Sequence, residues 1–457
     1  MKRVKKTVDM TEAPFLKKMI FFAIPIILMG LFQCFYGAAD MIVVGRFRGD
    51  LAVAAVGSTS SLTNLIVGLF MGLSVGAGVC VAHHTGAKED EEVKKTAYTA
   101  IVIALICGAA IAIVGFFLSG EMLKLMDTPA EVLPLATLYL KIIFLGTPAS
   151  MLFNYIATML RSVGDSKKPL IFLTISGVVN IVLNVILIAV FGMGVEGVAI
   201  ATIFSQYLMA TMALVYLCKT SGILRISLKD IRLNWAKAKK MLYIGIPSGI
   251  QSTLFSLSNV IIQSAINGFG DEVVAGSSAA ASVETFIYIV VNSMYHVTIT
   301  FVGQNVGAKK LKNIRRIIVY GVLLVVAMGT VLGGLCLAFR YPLIKLYINS
   351  DAAIAAAMQR LWIIGLAYSL CGIMDAFSGL LRSLGRSFTS MIISLGGACG
   401  LRILWILTVC KWLPYPQTVY FSYPVTWTVT VLIQLIVSSA ILRKMIKKSD
   451  EDNLLEA

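Results

Sequence analysis

Charge is what this chain lacks. Only 14% of its 457 residues are Asp, Glu, Lys or Arg, against about 25% in soluble globular domains. Histidine is scarcer still: His83, His84 and His296 are the only three. With no H-E-x-x-H pair among them, a metalloenzyme has no support. The eight cysteines are scattered and form no C-x-x-C. They read as small apolar packing residues, not as a disulfide framework or a zinc site. No nucleophile–base pair stands out either, so the sequence does not read as an enzyme.

What is abundant is apolar sequence, 58% of the chain. Runs of about 20 apolar residues are long enough to cross about 30 Å of hydrocarbon. Twelve occur, near 17–45, 52–80, 97–118, 133–160, 170–191, 195–217, 242–267, 273–303, 317–338, 359–381, 388–410 and 418–441. Backbone groups in lipid must be satisfied within the segment, so the runs are helices. The first is too long for the apolar region of a cleavable signal peptide, and none is expected.

The net charge is +16. Its placement argues for a membrane and against nucleic acid. The connections between runs alternate in Lys and Arg, with 30 of the 39 on one side and six on the other. Lys141, Arg360 and Arg402 lie in or at the edge of runs. That asymmetry is the positive-inside pattern, which predicts cytoplasmic termini in a multi-pass cell-membrane protein.

The sequence also repeats. "LRSVGDS" at 160–166 returns as "LRSLGRS" at 381–387, and "GAK" at 86–88 returns at 307–309, both 221 residues on. The same period lays "VAAVGSTSS" (53–61) on "VAGSSAAAS" (274–282), and the prolines Pro25 and Pro247 lie within one residue of it. A duplication of six spans returns each half to the side where it began. The predicted fold is all-α and polytopic. Twelve transmembrane helices form two six-helix bundles, related by a pseudo-two-fold axis along the membrane normal. The predicted boundaries are 1–217 for the first bundle, 218–240 for a cytoplasmic linker, 241–443 for the second bundle and 444–457 for a cytoplasmic tail. Paired bundles of this kind hold a cavity at their interface and alternate its access by rocking. The linker is expected to include a short amphipathic helix with Ile226, Leu228, Ile231, Leu233 and Trp235 on its apolar side.

A charged residue at a helix centre costs about 2.5–3.5 kcal/mol on insertion scales, so the few inside the runs are the functional candidates. Asp40 lies six residues before Arg46, roughly 9 Å below the outer boundary at about 1.5 Å per residue. Asn180 and Asn184, one turn apart, share a face of the fifth run. Thr202 follows Glu196 by six residues in the sixth. All four fall at a similar depth. A carboxylate, two amides and a hydroxyl there suit a small cation site. Desolvation penalises the charged carboxylate and draws it toward taking up a proton. Pro25, on the same helix as Asp40, frees a backbone carbonyl and supplies a bending point.

The second half has no copy of Asp40, because the period maps it near Ile261 and Ile262. Instead Glu284, Asp375 and Arg402 lie within runs. Glu284 and Arg402 are expected either to pair or to meet substrate. Asp375 is expected to contact a cationic substrate or to cap the Arg382 region. Tyr36, with other aromatics and methionines, is expected first as a packing residue; lining a cavity, such residues would suit a large flat cation.

These residues resemble the MATE (multidrug and toxic compound extrusion) family over nearly the full length. The resemblance rests on "QCFYGAADMIVVGRFRGDLAVAAVG" (33–57), "LRSVGDSKKP" (160–169), "GVEGVAIATIFSQ" (194–206), "FVGQNVGAK" (301–309) and "LRSLGRS" (381–387). It implies cation-coupled export of organic cations or amphiphilic drugs from an outward-facing cavity between two bundles. The protein is expected to work as a monomer in the bilayer, with no cofactor beyond the coupling ion, H+ or Na+. In the DinF-like branch a first-span Asp, a fifth-span Asn and Asp and a sixth-span Thr form the ion-linked site. Asp40, Asn180 and Thr202 match, whereas position 184 is Asn. That leaves one carboxylate, enough for one proton, where a sodium site would lose a charged ligand. The NorM-like branch uses carboxylates in the seventh and tenth spans. Here the seventh holds Gln251, Asn259 and Gln263, and Asp375 lies about a turn from the expected position. The alternative on the same broader fold is a lipid-linked oligosaccharide flippase. Such a protein needs several cationic groups in its cavity, and Arg402 is the one well inside a span. A ring-lined channel does not fit a two-fold duplication.

Overall fold

A computed structural model describes residues 9–455. The charges of Lys2, Arg3, Lys5 and Lys6 therefore lie outside the described residues. Within them the chain is helical and contains no strand. The elements are α1 (Phe15–Arg48), α2 (Asp50–Gly86), α3 (Asp90–Lys124), α4 (Leu133–Leu145), α5 (Thr147–Ser162), α6 (Lys167–Val185) and α7 (Val195–Lys219). Then come α8 (Trp235–Asn267), α9 (Asp271–Gly307), α10 (Leu311–Ala338), α11 (Arg340–Lys345), α12 (Asp351–Ile364) and α13 (Tyr368–Ser383). The last are α14 (Ser387–Ser394), α15 (Leu401–Leu407), α16 (Val409–Trp412) and α17 (Pro416–Leu455).

Nine of these segments are long and apolar enough to cross a membrane, counting α6 with its π turn and the chain from α14 to α16 as single spans. Two further spans are bent pairs, α4 with α5 and α12 with α13, each broken by 47°. The twelfth is α8, 33 residues long. It carries Gln251, Ser252, Thr253, Ser256, Ser258, Asn259 and Gln263, which dilutes its apolarity. The tenth span begins at Asp351, eight residues before the apolar run at 359–381. "DAAIAAAM" is helical but only weakly apolar, so hydropathy passed over it.

The chain forms two compact units, one of Ile24–Gly249 and one of Asp9–Ala23 with the chain from Ile250 on. The duplication is written into the backbone of both. Positive φ angles occur at Gly49 and Gly270, at Lys88 and Lys309, and at Gly164 and Gly385. Each pair is 221 residues apart. The last two pairs close helix ends with the same hydrogen bonds. Asp165 N–H reaches Leu160 O and Arg386 N–H reaches Leu381 O, at 2.9 and 2.8 Å. This is the Schellman closure, and it needs a left-handed residue after the helix, where glycine is least strained. Packing repeats as well. The missing side chain of Gly108 admits Pro148 and that of Gly329 admits Ser369, again one period apart, so α3 approaches α5 as α10 approaches α13. Small residues allow such close approach in the absence of a hydrophobic drive between helices in lipid.

The segment expected as a linker, 218–240, falls within the first unit and does not form the expected amphipathic helix. It turns at Gly222–Arg225, where Arg225 N–H reaches Gly222 O at 3.0 Å, and again in the three-residue turn Leu228–Asp230, and α8 begins at Trp235. Ile226 is buried while Leu233 and Trp235 are exposed. The side chain of Leu228 lies outside the described set. Backbone hydrogen bonds to α3 replace the helix: Ser227 N–H to Tyr98 Oη at 3.3 Å and Asn234 N–H to Thr99 Oγ1 at 3.2 Å.

Candidate functional site

In the first unit, four of the residues chosen from sequence converge. Asn184 Nδ2 donates to Asp40 Oδ1 at 2.5 Å and to Asn180 Oδ1 at 3.3 Å. Asn180 Nδ2 reaches Thr202 Oγ1 at 3.5 Å. The Thr202 hydroxyl donates back along its own helix to Val198 O at 2.9 Å, which leaves its lone pairs to accept. A polar chain thus runs from α1 across α6 to α7. Helical geometry explains it: Asn180 and Asn184 stand one above the other on α6 and face both neighbours.

Burial is graded along that chain. Asn184 is fully buried and Asn180 nearly so, whereas Asp40 and Thr202 are half-buried. The carboxylate sits at the edge of the cluster. Asn184 Oδ1 is buried and has no donor. A buried acceptor left unpaired is unfavourable, by about 1–3 kcal/mol. The cluster is therefore one donor short.

Tyr36, one turn before Asp40, fixes α1 on α6. Its hydroxyl donates to Leu173 O at 3.1 Å, and its ring fills the space left by the missing side chain of Gly177. Tyr36 and Asp40 together define the face that α1 presents to α6. Pro25 lies inside α1, near its start, and cannot donate to the carbonyl of Phe21.

The candidates of the second unit do not converge in the expected way. Glu284 does not pair with Arg402. Arg360 takes Glu284 in a fork, Nε to Oε1 at 2.9 Å and Nη2 to Oε2 at 2.8 Å. Ser277 and Tyr368 complete that pair's hydrogen bonds. Both ions are buried. The sequence places Arg360 in or at the edge of a run, because hydropathy does not mark the helix start at Asp351. In fact nine residues of α12 precede it. Asp375 accepts from Asn292 Nδ2 at 2.7 Å and does not cap Arg382. Arg382 donates to Gln251 Oε1 at 2.8 Å and to the Tyr295 hydroxyl. Arg402 donates to Thr426 Oγ1 at 3.2 Å and lies over the Tyr423 ring. No cluster of three or more His, Cys, Asp or Glu fit to hold a metal occurs among the described residues.

The sequence has measurable relatives. Residues 25–186 and 247–407 match the MatE family profile, once in each half. The probable multidrug resistance protein YpnP of Bacillus subtilis is 29% identical over 419 residues, 91% of each chain. The multidrug export protein MepA of Staphylococcus aureus is 23% identical over 401 residues, 87% of this chain and 88% of that one. Among solved structures, an outward-facing multidrug resistance MATE family transporter superposes with a TM-score of 0.89 at 20% identity, covering 97% of this chain and all of that one. A MOP superfamily transporter from Pyrococcus furiosus gives 0.85 at 20% identity, covering 98% and 99%. The two-fold profile match, the twelve helices and the shared fold lead to one assignment: this chain belongs to the MATE family, as a multi-pass membrane transporter and not an enzyme.

Proposed function

We propose that the protein is a secondary multidrug exporter of the cell membrane, with both termini cytoplasmic. It exchanges organic cations or amphiphilic drugs for protons by alternating access, with Asp40 as the ion-linked carboxylate. The observation that carries this reading is the Asp40–Asn184–Asn180–Thr202 chain with its unanswered Asn184 oxygen. The names of its relatives supply the substrate class.

The proton step follows from hydrogen-bond inventory. Charged Asp40 only accepts, and Asn184 offers it an N–H. Protonated Asp40 carries an O–H that must donate. Asn184 answers by turning its amide, so that the partnerless Oδ1 becomes the acceptor. Its former N–H then leaves Asp40 and Asn180 together. That shift alters how α1 seats on α6, and Pro25 gives α1 a place to bend. A single carboxylate among amides and a hydroxyl favours a proton over sodium, which prefers more charged oxygen ligands.

The test is ethidium efflux from cells expressing Asp40→Asn, with membrane insertion checked by immunoblot. Efflux driven by the proton gradient is expected to vanish while the protein level stays constant. Undiminished efflux by this variant removes Asp40 from the mechanism.

A further inference from the structure

The two halves repeat a corner and reverse its charge. In the first, α2 turns into α3 through Lys88, Glu89, Asp90, Glu91 and Glu92. One period on, α9 turns into α10 through Lys309, Lys310, Leu311, Lys312 and Asn313. The backbone is alike, down to the left-handed φ of Lys88 and Lys309. Residues 88–95 hold three lysines and four carboxylates, whereas residues 309–316 hold five cations and no carboxylate. The start of a helix favours anions. The first turn of α3 supplies three of its own and that of α10 supplies none. The difference reaches the next turn. Lys94 and Lys95 pair with Glu91 and Glu92 three residues back, at 2.7 and 2.8 Å. Their counterparts Arg315 and Arg316 find Lys312 and Asn313 there.

The basic corner walls a cavity of about 500 Å³ within the second unit. Lys309, Lys310, Lys312 and Arg316 line it, together with the apolar Phe15 and Ile446. The segment before α1 forms another wall and is tied in place. Met10 is fully buried, and its carbonyl accepts from Asn305 Nδ2 at 2.9 Å. The Thr11 carbonyl accepts from Asn313 Nδ2 at 3.1 Å, and Thr11 Oγ1 accepts from Lys310 Nζ at 3.2 Å. Two carboxylates also line the cavity, Glu12 and Asp450. Glu12 stands 3.8 Å from Lys310 and Asp450 3.2 Å from Lys312, and all four side chains are exposed. Among the described residues Lys309 and Arg316 make no ion pair. The cavity has two cations to spare.

The face of α10 indicates which anion fits. Lys312 and Arg316 stand one turn apart, and Val319, Leu323 and Val326 continue their row at helical spacing. These three are 50, 57 and 40% exposed, on a helix long and apolar enough to cross the membrane. A basic head thus runs into an apolar track open to lipid. A soluble phosphate uses only the head of that row. A phospholipid uses both, with its phosphate on the cations and an acyl chain along the track. The volume suits a headgroup, since small-molecule pockets span about 300–1,000 Å³.

We propose that Lys309, Lys310, Lys312 and Arg316 bind the phosphate of an anionic phospholipid whose chain lies along the exposed face of α10. Ammonium and guanidinium groups meet phosphate oxygens in charge-assisted hydrogen bonds, and basic pockets at the ends of membrane helices suit such headgroups. The phosphate displaces Asp450 from Lys312, so the end of α17 carries a built-in competitor. This site depends on the membrane fold and not on the ion that drives export, and it stands or falls apart from Asp40.

Native mass spectrometry of the full-length protein, purified in detergent, counts bound lipid. The probes are dioleoyl phosphatidylglycerol, dioleoyl phosphatidylcholine and soluble glycerol 3-phosphate. The parent protein is expected to hold phosphatidylglycerol in preference to phosphatidylcholine. Lys309→Gln with Arg316→Gln should weaken phosphatidylglycerol at least about tenfold and leave phosphatidylcholine unchanged. Asp450→Asn should tighten it about two- to fivefold, the range of an exposed ion pair, a gain that a misfolded variant does not produce. Lys94→Gln with Lys95→Gln, the same loss of charge at the first corner, should change nothing. An equal loss in that variant marks general surface charge and overturns the site. Equal binding of the two lipids overturns it too, as does unchanged or weaker binding by Asp450→Asn. Displacement of phosphatidylglycerol by equimolar glycerol 3-phosphate overturns the lipid in favour of a soluble phosphate.

Discussion

A charge placed inside a membrane bundle must be answered, and the buried arginines of this chain are answered in different ways. Arg360 meets a carboxylate, Arg382 meets the neutral Gln251 and Tyr295, and Arg402 meets one hydroxyl and two rings. Arg382 and its repeat partner Arg161 read in the sequence as loop charges, yet both are buried at the last turn of their helices. Cations are favoured at that end by the helix dipole. The Glu284–Arg360 pair gives a stability prediction. Arg360→Met strands a buried carboxylate and is expected to cost about 3–5 kcal/mol, measured by detergent-induced unfolding of the purified protein. Glu284→Gln with Arg360→Met removes both charges and should recover most of that loss. Equal losses in the single and double variants would show that packing and not charge is at stake. Glu284 was visible in the sequence as a lone carboxylate in an apolar run. Its partner was not, because the alanine-rich start of α12 hid how deep Arg360 lies.

At the level of elements, a strong local signal made structure readable and its lack hid it. The spans were legible because lipid demands long apolar helices. The duplication was legible because helix ends need the same left-handed residue in both halves. The two 47° bends fall at Gly146–Thr147–Pro148 and at Gly365, but the apolar run continues across both, so hydropathy alone reads each as one straight span. The linker does not form the expected helix because Ile226, Leu228, Ile231, Leu233 and Trp235 do not share one helix face, and side chains of α3 pair with its backbone instead. It ends in a clasp. Lys237 Nζ meets Glu92 at 2.6 Å and His84 Nε2 at 2.8 Å. A lysine ammonium only donates, so this ring nitrogen accepts and His84 Nδ1–H points to Glu89. Lys237→Met opens the clasp at two contacts at once. Trypsin should then cut the linker at Arg225, Lys229 or Arg232 several-fold faster than in the parent protein, read by gel over time. An unchanged cleavage rate would mean that the two backbone bonds to α3 hold the linker alone.

For the whole molecule, the number of carboxylates in the ion-linked cluster sets the electrical character of transport. Among the described residues Asp40 is the one carboxylate hydrogen-bonded into the Asn184–Asn180–Thr202 chain, so the exchange proposed above would carry one proton per cycle. A monovalent organic cation leaving against one proton moves no net charge. Its transport should follow the pH difference and ignore the membrane potential. Under the same stoichiometry a zwitterionic substrate would leave as a neutral molecule, so one positive charge would cross inward per cycle. For that substrate the potential contributes about 2.3 kcal/mol per 100 mV, equivalent to about fifty-fold in accumulation. Proteoliposomes with potassium diffusion potentials set by valinomycin separate the cases, with ethidium as the cation and ciprofloxacin as the zwitterion. Ciprofloxacin uptake should rise steeply with potential at zero pH difference, and ethidium uptake should stay flat. Sodium gradients should drive neither. If ethidium responds to potential as strongly as ciprofloxacin, more than one charge is carried inward per cycle. The second carrier would then be sought first at Asp375, the half-buried carboxylate of the other unit, which is hydrogen-bonded to Asn292.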